Sequence, residues 1–223
     1  MTAAPELLNL TPRQQLRAGR MPRRIAQLMI GLWIFGASIA LVLRSRLGLS
    51  PWDVLHVGIA RHLPLSIGTV SILVGVVVLL SWIPLRQWPG LGTVLNIFVV
   101  GIAIDVTLAA LPGITATGAP GWALRLGLLA SGIVLNGLAG AMYIGSQLGP
   151  GPRDGLMTSL SERTGWRIGV VRTGIEVTVL ALGWLLGGPV GLGTVAYALA
   201  IGPLVQWMLP YWLVRVAAPA TTR

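Results

Sequence analysis

Apolar residues run along the chain in six long blocks, at about 25–43, 67–83, 92–111, 123–145, 168–186 and 192–213, with short joints rich in Gly, Pro, Ser and Arg between them. Each block holds roughly 17 to 23 residues, enough as a helix to cross about 30 Å of hydrocarbon. The pattern predicts an all-α membrane protein with six transmembrane helices. Ahead of the first block, Arg13, Arg17, Arg20, Arg23 and Arg24 make residues 1–24 a basic segment. The first block is longer than a signal h-region and is followed by Arg44 and Arg46 rather than a small-residue cleavage site, so it is read as an uncleaved first span.

The blocks form two copies. Shifted by 101 residues, Arg24–Leu108 aligns without gaps on Arg125–Leu209, with 25 identities in 85 positions. Apolar residues match easily by chance, but the punctuation matches too. Gly31 pairs with Gly132, Gly36 with Gly137, Leu47-Gly48 with Leu148-Gly149, Pro51 with Pro152, Asp53 with Asp154, Ile67-Gly68 with Ile168-Gly169, Gly90 to Val94 with Gly191 to Val195, and Gly101 with Gly202. Each copy holds three spans, an odd number, so the second enters the bilayer from the opposite side as an inverted repeat. The expected organisation is a cytoplasmic segment 1–24, a first three-helix repeat 25–111, an extracytoplasmic linker 112–122, a second three-helix repeat 123–213 and a cytoplasmic tail 214–223.

A short helix is expected after the first span of each copy. Ser50-Pro51-Trp52-Asp53 reads as a helix start, with Ser50 as the cap, Pro51 at the first helical position and Asp53 placed to return a hydrogen bond. Trp52, Leu55, Ile59 and Leu63 form an apolar stripe that Asp53, His56 and Arg61 avoid, giving an amphipathic or re-entrant helix too short to span. Its partner begins at Gly151-Pro152-Arg153-Asp154. The two carboxylates either cap their helices or, if both helices dip into the membrane, bind a proton, a cation or a cationic solute near the midplane, with Arg153 as an asymmetric counter-charge.

Charge narrows the function. All 16 basic residues are Arg, the formal net charge is +10, and the arginines sit at block ends rather than on one soluble face, so no nucleic-acid partner is expected. Six spans put Arg13, Arg17, Arg20, Arg23, Arg24, Arg86, Arg153, Arg163, Arg167, Arg215 and Arg223 inside against Arg44, Arg46, Arg61 and Arg125 outside, which orients both termini to the cytoplasm of a bacterial inner membrane. With no Cys and two His, no metal or cofactor is expected. The chain also lacks Gly-x-Ser-Gly with a helical His, His-Glu-x-x-His, a Walker loop and a dinucleotide fingerprint, so it is not expected to be an enzyme.

Polar residues inside the spans complete the candidates. Arg172 and Glu176, four apart on the fifth span, either neutralise each other or line a polar pathway. Asp105 lies toward the outer end of the third span, within reach of the interface or of Arg125 or Arg44. Asn96 and Asn136 either bond a neighbouring helix or contact a ligand. Thr93 and Thr194 are expected to cap the third and sixth spans, the paired glycines to allow close packing, and Trp82, Trp88, Trp122, Trp166 and Trp212 to anchor at the interfaces.

The stretches Leu47 to Leu55, Ser66 to Gly68, Gly90 to Asn96 and Leu148 to Met157 resemble the YczE/YyaS/YitT group of bacterial integral membrane proteins, and within it the YczE type. The likeness covers residues 25–215, with Gly101 and Asp105 in place and the basic head outside it. It implies a multi-pass inner-membrane protein of a group whose activity has no settled assignment and for which a transport role is suggested. The leading expectation is a secondary transporter or exporter of an unknown small solute, coupled to protons through Asp53, Asp154, Asp105 or Glu176, with the lipid bilayer and a second copy in a homodimer as further partners. The alternative is a non-transporting membrane partner or regulatory subunit.

Overall fold

The computed structural model describes residues 10–216, in which every regular element is a helix. These are α1 (Pro12–Arg17), α2 (Met21–Ser45), α3 (Pro51–Ala60), α4 (Ile67–Leu80), α5 (Trp82–Leu85), α6 (Leu91–Ala110), α7 (Gly118–Gly145), α8 (Pro152–Thr164), α9 (Ile168–Leu185) and α10 (Leu192–Trp212). Among the described residues six helices are long and apolar enough to cross a membrane: α2, α4 continued by α5, α6, α7, α9 and α10. α7 starts inside the expected 112–122 linker, because Pro120 falls in its first turn, where a missing N–H leaves no bond unmade. α1 was not expected; Thr11 and Gln14 close a capping box around its start. Arg223 lies outside the described residues.

α2 and α7 form the centre and run antiparallel. Arg24, near the start of α2, donates from Nε to the carbonyl of Ser146 at 2.8 Å and from Nη2 to that of Gln147 at 2.6 Å, just past the end of α7. At the other end Arg125 donates to the carbonyl of Ser45, the last residue of α2, at 3.4 Å. Arg24 and Arg125 are equivalent in the two copies, as are Ser146 and Ser45. Arg24, expected among the cytoplasmic basic charges, is fully buried, because the last carbonyls of a helix have no partner inside it and a guanidinium can satisfy several at once.

Other contacts recur with the copies exchanged. A Cβ on Gly31 would lie 3.0 Å from Met142 Cβ of α7, and one on Gly132 would lie 2.6 Å from Val42 Cγ2 of α2. Gly36 meets α6 as Gly137 meets α10. The N–H of Gly92 donates to the carbonyl of Leu148 and that of Gly193 to the carbonyl of Leu47, both at 2.7 Å. Thr93 and Thr194 each accept at Oγ1 from the N–H of the glycine three residues earlier, at 3.2 Å.

The exchange fails at one seam. α4 lies tight on α6: a Cβ on Gly68 would come within 2.1 Å of the Gly101 carbonyl oxygen. The counterparts Gly169 and Gly202 have nothing within 4 Å, and α9 barely touches α10. α10 also carries Pro203 directly after Gly202, which frees the carbonyl of Leu199 and marks a bend point. Trp82 departs from its expected role as an interfacial anchor. It is buried on Gly155 of α8 and donates from Nε1 to the Pro152 carbonyl at 3.0 Å.

Gly132→Leu is expected to lower stability by about 1–3 kcal/mol through overpacking against Val42, whereas Gly127→Leu, on the same helix with open space around it, leaves it nearly unchanged. Unfolding titrations of the two variants in mixed micelles check this.

Candidate functional site: a cavity between the two copies

The starts of the two short helices converge. At α3, Ser50 Oγ accepts from the N–H of Asp53 at 3.3 Å and donates to Asp53 Oδ2 at 2.5 Å, so the carboxylate bonds the capping hydroxyl rather than the Ser50 backbone. The other oxygen, Oδ1, lies 3.5 Å from His56 Nδ1. His56 Nε2 in turn is 3.3 Å from Nη2 of Arg153 at the start of α8, whose guanidinium stacks 4.6 Å from the centre of the Trp52 ring. A guanidinium only donates, so His56 accepts at Nε2 and carries its proton on Nδ1, toward Asp53. A chain of polar contacts thus passes from one short helix to the other.

The start of α8 is capped differently. The N–H of Gly151 donates to the hydroxyl of Tyr143 at 2.8 Å, and that hydroxyl donates to Asp154 Oδ2 at 2.5 Å. Tyr143 therefore sits inside what would otherwise be a direct contact between the helix start and its carboxylate.

Between these helix starts lies a cavity of about 330 Å³, lined by both copies. Arg153, Asp154, Asn96, Asn136, Arg172 and Glu176 all line it. Asp53 is buried just behind the lining residues Ser50, Pro51 and Trp52. Asp105 is elsewhere, at the tight seam, where it accepts from Ser66 Oγ at 2.5 Å and from the Gly68 N–H at 2.8 Å. It caps α4 and bonds no arginine; Arg44 instead donates to the Leu108 carbonyl. Asn136 donates to Ser38 Oγ at 2.7 Å and accepts from the Tyr197 hydroxyl at 2.8 Å, joining α2, α7 and α10. Arg172 and Glu176 pair at 3.0 Å.

The polar lining is contributed unequally. Where the first copy has Phe35, Val42, Trp52, Ser71 and Gly75, the second has Asn136, Tyr143, Arg153, Arg172 and Glu176. His56 and Tyr143 were not among the residues singled out. His56 had a visible signal, three residues after Asp53 on the same helical face. Tyr143 had none, since it replaces Val42 in an apolar run.

Residues 22–210 match the family described as "Family of unknown function (DUF6198)". A protein of Haemophilus influenzae described as uncharacterized is 42% identical over 187 residues, 84% of each chain. The uncharacterized membrane protein YczE of Bacillus subtilis is 36% identical over 183 residues, 81% of this chain and 82% of that protein. YyaS of the same organism, also uncharacterized, is 31% identical over 185 residues, 81% of this chain and 90% of that protein. No solved structure matches.

Tyr143→Phe removes one hydroxyl that serves two partners, the buried Gly151 N–H and the cavity-exposed Asp154 carboxylate. The expected loss is about 1–3 kcal/mol of stability, read as a lower unfolding midpoint in detergent, with the helical content of the folded protein unchanged.

Proposed function

This chain belongs to the DUF6198 family, and from that premise we propose that it is a secondary transporter of a small solute, not an enzyme. The two three-helix copies are inverted in a bacterial inner membrane with both termini in the cytoplasm. The short helices are re-entrant: at 10 and 13 residues they extend only about 15–20 Å and stop within the bilayer. The solute occupies the cavity between the copies. With no nucleotide-binding loop, the driving force is an ion gradient, and Asp154, Asp53 and Glu176, all in or beside the cavity, are the carboxylates available to carry a proton.

The observation that carries this reading is the unequal pair of seams. Gly68 and Gly101 close α4 on α6, while Gly169 and Gly202 are equally small, equivalently placed and apart. Transport follows if the seams exchange: α9 closes on α10 through its own glycines, bending at Gly202-Pro203, while α4 leaves α6. The cavity then opens on alternate sides. Asp105 holds the seam that is closed here.

Ala198 lines the cavity and the chain has no native Cys, so Ala198→Cys gives one reporter whose labelling needs no knowledge of the solute. An impermeant thiol reagent is expected to reach it from both faces of sealed vesicles. Adding Gly169→Leu, which meets open space in this structure and does not line the cavity, should leave folding intact but restrict labelling to one face. Labelling from one face only without Gly169→Leu, or two-sided labelling indifferent to it, contradicts alternating access and favours a non-transporting membrane partner.

A further inference from the structure

Resting on the transport reading, we infer that the cavity binds a small zwitterion with an apolar body, its anionic group on Arg153 and its cationic group on Asp154. The charges in the cavity divide into those already matched and those left open. Arg172 and Glu176 neutralise each other at 3.0 Å. Asp53 Oδ2 takes the Ser50 hydroxyl, and its Oδ1 faces His56 Nδ1 at 3.5 Å without a hydrogen bond. Arg153 makes no ion pair among the described residues; one of its N–H groups reaches His56 and one face of its plane rests on Trp52. That stacking fixes the plane and leaves the remaining donors for a planar anion such as a carboxylate. Asp53 and Asp154 act on the Arg153 charge from a distance but neither contacts it, so an anionic ligand would supply the direct partner the guanidinium lacks.

Asp154 presents the opposite demand one residue later. Its Oδ2 takes the Tyr143 hydroxyl, its Oδ1 has no partner among the described residues, and the side chain is exposed to the cavity. A simple anion would satisfy Arg153 but face this carboxylate, and a simple cation would do the reverse. Only a solute carrying both charges answers both groups. The rest of the wall includes Phe35, Ile97, Val100, Ile144 and Ile201, which suits an apolar side chain, and about 330 Å³ is at the small end of ligand cavities. An α-amino acid with an aliphatic or aromatic side chain has this chemistry.

The experiment measures binding to the purified full-length protein in nanodiscs by calorimetry. The probes are the twenty common amino acids, together with 3-methylbutylamine and 4-methylpentanoate, which keep the body of leucine but lose its carboxylate or its ammonium. At least one apolar amino acid is expected to bind, at least about tenfold more tightly than either single-charge analogue. Arg153→Gln should reverse the preference toward 3-methylbutylamine and Asp154→Asn toward 4-methylpentanoate, a gain that misfolding does not mimic. Tighter binding of either single-charge analogue to the unaltered protein, no binding by any amino acid, or variants without reversed preference would overturn the proposal. Two-sided labelling of Ala198→Cys alongside such a failure would remove the zwitterion and keep the transporter; one-sided labelling with zwitterion binding intact would do the opposite.

Discussion

Two helices lie backbone to backbone only where side chains are absent between them, and α2 and α7 achieve this through Gly31 and Gly132, each facing the other helix. Most other features follow from that antiparallel pair. Arg24 and Arg125 close its two ends on the opposite helix's carbonyls. α6 and α10 are held against its flanks through Gly36 and Gly137, and the chain leaving each central helix is pinned to the other copy's third span by the hydrogen bonds of Gly92 and Gly193. Those bonds fix the residues just before each short helix. The starts of α3 and α8 are thereby aimed into one space.

The frame is shared by the copies and the lining is not. Glycine, proline and threonine at the contacts recur 101 residues apart, while the side chains facing the cavity differ in polarity. Packing demands the same small residues in both copies. A ligand of low symmetry makes no such demand, so its wall is free to become polar on one side. The charged groups Arg153, Asp154, Arg172 and Glu176 all come from the second copy, while both copies supply apolar wall.

The spans and short helices were legible in the sequence because block length and helix-start residues are local signals, readable without knowing what packs where. The close contacts of Gly31, Gly36, Gly101, Gly132 and Gly137 were legible because paired glycines mark them, whereas Gly202, marked in the same way, touches nothing here. His56, Arg24 and Trp82 acquire their roles from partners distant in the chain and Tyr143 from a helix start 8 and 11 residues on, and none has a like residue in the other copy except Arg24, whose counterpart Arg125 also sits at the start of a span. In Arg24 the charge rule for membrane topology and the capping of a neighbouring helix lead to the same residue, and the sequence alone displayed only the first. Asp105 read as an isolated span charge because its partners, Ser66 and the Gly68 N–H, belong to a helix start that bonds across to α6.

Paired spin labels in nanodiscs measure the proposed exchange of the two seams directly. Val76 with Phe98 reports on α4 and α6, and the equivalent Val177 with Leu199 reports on α9 and α10. If the seams exchange, each pair shows a short and a long distance, with the short fraction of one rising as that of the other falls when ligand or pH is changed. A single short distance for the first pair and a single long one for the second, under all conditions, would contradict it.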